Sequence, residues 1–162
     1  MRATGLIVIA TLIAALAAPA SARPRPARPS PIAVTGAEVR ASLGGSANSA
    51  AYMVIANSGP KPDRLVSVDC ACAVQAEVHR SSMEGGVMSM APAGPVEIPA
   101  HGRVVFAPGG LHVMLTGVKH PLIDGRRQAM TLSFERAGRI EAGFDVRTRI
   151  VSEGMAAMPG MR

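Results

Sequence analysis

From residue 32 onward no helical period of apolar residues is sustained; short apolar or alternating runs are repeatedly cut by Gly, Pro and Asn. Gly and Pro contribute 17 and 13 residues, a density that suits short strands joined by tight turns and works against long helices. The runs are residues 51–56, 65–68, 74–78, 96–98, 104–106, 111–115, 130–134 and 140–150. Segments at this spacing predict an antiparallel all-β sandwich or barrel. A chain of 162 residues has room for one such core and too little length for two ordinary domains.

The first 31 residues are of a different kind. A basic start at Arg2, an apolar run over 5–17 and an Ala20-Ser21-Ala22 site have the three-part pattern of a secretory signal peptide over 1–22, cleaved after Ala22. The apolar run is too short to span a bilayer, and no later segment reaches that length. The expected product is soluble and exported, with a bacterial periplasm as its compartment. Residues 23–31 form an Arg/Pro-rich linker, 32–151 the folded domain, and 152–162 a Met-rich flexible tail. Whole-chain counts of 17 basic and 11 acidic residues overstate the charge of that domain. Arg2, Arg23, Arg25 and Arg28 all precede residue 32, so 13 basic residues face 11 acidic ones beyond it. Without a basic face or interleaved aromatics, nucleic-acid binding has no support.

The chemistry lies in methionine and histidine. Ten methionines stand against four histidines and no tryptophan. His112 and Met114 are two apart in a strand-like segment, so period-two geometry sends both to one face. His79 ends another such segment, while Met88 and Met90 follow the Gly85-Gly86 turn in what reads as a loop over 85–90, free to close on the pair. Imidazole nitrogen and thioether sulfur without a carboxylate make a soft donor set, selecting Cu(I) over Mg, Ca or Mn and serving Zn poorly.

The spacing His79–x10–Met90–x21–His112–x–Met114 resembles the signature of the periplasmic PCuAC-type copper chaperones. Flanking text is similar too: Tyr52 with Asn57, Asp63-Arg64-Leu65, Glu77-Val78-His79, Gly86-Val87-Met88, Pro108 through Leu115, and Gly117 through Leu122. The resemblance implies a single cupredoxin-like Greek-key β-barrel or sandwich, with a surface Cu(I) site at His79, Met90, His112 and Met114. It implies no enzyme, but a monomeric carrier that passes copper to a recipient such as a cytochrome c oxidase subunit or a Sco-type chaperone, during assembly of the oxidase copper centres.

Other residues are open to more than one reading. Met88 rivals Met90 as a ligand, or else packs beneath the loop; Met83 reads as a loop methionine. Met88, Met155, Met158 and Met161 are candidate auxiliary copper ligands, with Cu(II) a further cargo at such sites. His101 and His120 lie in turn-like contexts and read as solvated. Arg80 follows His79 where an acidic residue is usual, placing positive charge near the site, and Glu38 stands where an aromatic is frequent. Cys70-Ala71-Cys72 reads as a bridge, a second soft copper site or two small buried hydrophobes; on a strand, residues i and i+2 are poorly placed to bridge. Two rival functions remain: a cupredoxin-like electron carrier, which needs a Cys ligand, and a metal-free structural β-sandwich.

Overall fold

The computed structural model describes residues 30–42 and 47–150. Ten strands and no helix are found among them: β1 (Ile32–Arg40), β2 (Asn48–Asn57), β3 (Asp63–Asp69), β4 (Gln75–Glu84), β5 (Val87–Pro92), β6 (Val96–Ile98), β7 (Arg103–Phe106), β8 (Leu111–Thr116), β9 (Arg127–Phe134) and β10 (Gly138–Arg147). No helix among the described residues is long and apolar enough to cross a membrane. The segments expected to be the signal peptide and the tail, with most of the Arg/Pro-rich stretch, lie outside these residues.

The strands run in the order β5-β4-β8-β2-β1-β10-β9-β3-β6, with β7 also pairing to β2. Sequence neighbours are thus often separated in space, as a Greek-key connectivity requires. All ladders are antiparallel except β1–β10, which is parallel. One edge of β2 carries β1, while its other edge is shared by β8 on the N-terminal half and β7 on the C-terminal half. The sheet curls around one core, in which Val39, Met53, Ile55, Leu65, Phe106, Val113, Leu115, Leu132 and Phe144 are fully buried. Met53 and Met130 belong to this core, as strand methionines should.

Two strands depart from the sequence expectation. β1 is not among the legible apolar runs because Gly36, at φ 56, and Glu38 interrupt its alternation, and its register against β2 shifts between Thr35 and Glu38. Pairing on both edges holds it in place nonetheless. Residues 87–92 are not a free loop but strand β5, paired to β4 in a hairpin through Gly85 and Gly86, both at positive φ. Every β5 residue is exposed, so no buried face exists to write an alternating pattern.

Several motif residues prove to be braces. The buried Asp63 carboxylate accepts backbone N–H bonds from Arg136 and Ala137, both at 2.9 Å, and so fixes the β9–β10 turn. Asn57 donates to the carbonyls of Lys61 and Ile98 and accepts from the Gly59 N–H, closing the turn after β2. The Cys70–Cys72 pair is a disulfide, and it stands in the turn after β3 instead of on a strand. There the Cα atoms are 5.1 Å apart, well inside the usual bridging range, whereas two positions along an extended strand lie at its upper limit. Both sulfurs are therefore engaged, and neither supplies a thiolate for copper.

Candidate metal centre

Strand β8 sets a core residue at every second position. Leu111, Val113 and Leu115 face the core, which turns His112 and Met114 to the opposite face. On the neighbouring strand β4, Val78 faces the core and His79 the other side. The β4–β8 register sets His79 directly opposite His112, with Glu77 opposite Met114. The imidazole centroids are 6.1 Å apart, with the rings tilted by 50°.

Each ring is held by one nitrogen, which leaves the other for a ligand. His112 Nδ1 is 3.1 Å from the Gly110 carbonyl oxygen, which can only accept, so the proton is on Nδ1 and the Nε2 lone pair is free. His79 is held the other way round. Its Nε2 is 3.2 Å from a Glu77 carboxylate oxygen, while its Nδ1 is buried without a hydrogen-bond partner among the described residues. A buried, unpartnered acceptor is costly in a metal-free protein, and here it lies on the face that His112 shares. Glu77 is the acidic support that the Arg80 substitution had put in doubt; it comes two residues before His79 on the same face. Arg80, one position on, projects from the opposite face by strand alternation.

Met90 pairs with Ser81 across the β4–β5 ladder, and Ser81 shares the His79 face at the next same-face position. Met90 and Met114 therefore flank the histidine pair from opposite ends, one from the Ser81 level and one from the Glu77 level. All four sequence candidates fall on one face, contributed by three adjacent strands. His112 is only 4% exposed, whereas Met90 is 50% exposed, so the centre has a buried floor and an open rim. Among the described residues no group of three or more His, Cys, Asp and Glu side chains is placed to hold a metal. Any ion here depends on the thioethers.

The other candidates separate. Met88 is 62% exposed and lies opposite Met83, two residues from Met90 toward the hairpin turn, so it does not pack in the core. His101 and His120 are exposed, as expected for turn residues. Met155, Met158 and Met161 lie outside the described residues. Tyr52, quoted above only as flanking text, neighbours the pair: its ring centroid is 6.5 Å from that of His112 on the adjoining strand. Burial pushes the Tyr52 phenol above the ordinary tyrosine range, with the Arg40 charge opposing. The sequence signal for Glu77 was its i, i+2 relation to His79; for the Gly110 carbonyl, which only the folded turn presents, there was none.

Comparison with known proteins gives a consistent picture. A family model described as LpqE-like, of lipoproteins, matches residues 32–146. The protein Lxx21020 of Leifsonia xyli subsp. xyli (strain CTCB07), whose name classes it with lipoproteins, is 32% identical over 117 residues, covering 72% of this chain and 69% of its own. Among solved structures, a copper-bound PCuAC domain from PmoF2 is similar at 29% identity and TM-score 0.63, with 74% of this chain and 94% of that one covered. Apo-DR1885 from Deinococcus radiodurans is similar at 30% identity and TM-score 0.60, covering 91% and 98%. Its CuI form is similar at 28% identity and TM-score 0.55, covering 75% and 79%.

Proposed function

The chain belongs to the LpqE-like family and is of the PCuAC type, and on that premise we propose that it is an exported copper chaperone that takes up one Cu(I) at His79, Met90, His112 and Met114. The observation that carries this reading is the in-register His79–His112 pair, each ring anchored through one nitrogen, with the buried His79 Nδ1 lacking a hydrogen-bond partner among the described residues. In this assignment His79 offers Nδ1 and His112 offers Nε2. The thioethers of Met90 and Met114 complete a soft set suited to Cu(I). Neither thioether must lose a proton to bind, so loading at neutral pH releases none from them. The absence of thiolate and the open Met90 rim suit a cargo that is held and then surrendered.

Two rival readings lose their footing. An electron carrier of the blue-copper kind needs a cysteine thiolate beside the histidines, and both cysteines are joined in the disulfide. A metal-free β-sandwich leaves the His79 nitrogen without purpose. No catalytic role is proposed. Relatives named as lipoproteins favour export, and we place the protein in the periplasm, released after Ala22 and acting as a monomer. Delivery to a cytochrome c oxidase subunit or a Sco-type chaperone is the fitting destination for such a cargo, and the tail methionines Met155, Met158 and Met161 are proposed auxiliary ligands, with Cu(II) their further cargo.

Anaerobic Cu(I) titration against a competing chelator tests the assignment. The intact protein should bind one Cu(I) tightly, without intense blue absorption on oxidation. His112→Ala combined with Met114→Ala should abolish that tight binding while circular dichroism shows the β-fold retained. Unchanged affinity in the variant would overturn the site.

A further inference from the structure

The β4–β5 hairpin carries methionines that the four-ligand centre does not use. Met83 is 64% exposed and Met88 62%, an unusual display for large apolar side chains with no core to cover. They are register partners, directly opposite each other on the two strands next to the Gly85-Gly86 turn. Paired residues share a face and hold their Cβ atoms about 4.5–5.5 Å apart. From that separation two unbranched thioethers, each free about several bonds, can close on one ion. The hairpin is firmly set: the Ser82 and Ser89 hydroxyls, on its other face, are 2.8 Å apart.

Distance separates this pair from the inner centre. Met83 lies four residues beyond His79 on the same face of β4, roughly 13 Å at the rise of an extended strand. The pair thus stands two same-face levels from His79, farther out than Met90. Met90 occupies the level between them, opposite Ser81. Sulfur donors thus run along one face from the hairpin tip to the histidines.

We propose that Met83 and Met88 form a second, outer Cu(I) site, a two-thioether clamp through which the ion enters and leaves the inner centre by way of Met90. The step is ligand exchange alone: a bond from Cu(I) to one thioether forms as another breaks, and the metal stays monovalent. The proposal takes its metal from the reading of the inner centre, but its sulfurs are different ones.

Methionine methyl resonances of the full chain, followed by NMR during anaerobic Cu(I) addition, distinguish the two sites. The first equivalent should move the Met90 and Met114 methyls, and a later one should move Met83 and Met88 together. In Met83→Leu, a change at an exposed position, the Met88 response should be lost while Met90 and Met114 respond as before. Met83 and Met88 methyls that stay unmoved through three equivalents overturn the outer site, as does a Met88 response undiminished in Met83→Leu. Failure of the inner centre reads differently: Met90 and Met114 would be silent while the hairpin pair still responded together, which would leave the outer site standing.

Discussion

At His79, the side chain two residues upstream decides what the ring can do. The Glu77 carboxylate engages Nε2 at 3.2 Å and so leaves the buried Nδ1 without a hydrogen-bond partner among the described residues. Carboxylate support of this kind orients an imidazole and raises its basicity, and its loss typically weakens metal binding by about 10–100-fold. Glu77→Ala should therefore lower Cu(I) affinity by about that range in chelator competition, without loss of the fold, because Glu77 is an exposed residue. An unchanged affinity would mean that packing alone orients His79. The candidate residues were legible in the sequence because soft donor types at fixed spacing are a chemical pattern. The supporting contacts were legible only in part. Glu77 is readable once β4 is known to be a strand, whereas the Gly110 carbonyl is a backbone atom that no side-chain pattern reports.

At the scale of elements, the site depends on register more than on composition. β8 is the most legible strand, since its core positions Leu111, Val113 and Leu115 recur at every second residue and are all apolar. β5 is the least legible: with both faces exposed, nothing selects for alternation, and it reads as a loop until β4 supplies a partner. The β3–β4 connection shows how a turn can be fixed by its neighbour. Val74 N donates to the Thr116 and Gly117 carbonyls, each at 3.0 Å, and Lys119 N donates to the Cys72 carbonyl at 2.9 Å. Gly117 lies at φ +65, and a Cβ there would come within 2.8 Å of Val74 Cγ2. Gly117→Ala should accordingly cost about 1–3 kcal/mol through the strained backbone, with the crowding of Val74 adding to it. Denaturant unfolding checks this, and a loss within a few tenths of a kcal/mol would show that the disulfide turn moves aside freely.

For the molecule as a whole, folding buries the single tyrosine beside His112. Because the chain contains one tyrosine, its alkaline titration belongs to Tyr52 alone. Burial raises that phenol's pKa in the folded protein, while in the unfolded chain it ionises near about 10. Above that pH the unfolded state has lost a proton that the native state keeps, so the unfolded state is favoured as pH rises. The Tyr52 contribution to stability is thus fully present below about pH 10 and is lost as pH climbs through the higher folded value. Phenolate absorbance should appear later in the native protein than in denaturant. Coincident midpoints would show that Tyr52 is not shielded in solution.

By itself the sequence determined the class of fold, because recurrent short apolar runs between Gly and Pro admit a curled antiparallel sheet and little else. It also determined the soft character of the donors, which is a property of the atoms and not of their arrangement. Only the tertiary structure decided which nitrogen each histidine presents, which methionines flank the pair and which stand apart on the hairpin. Those outcomes are set by register between strands distant in sequence, and by backbone carbonyls positioned in turns. Both arise from pairings that no local window contains. The two cysteines illustrate the difference: their types allowed three readings, and the turn that brings their Cα atoms to 5.1 Å resolved them into a bridge.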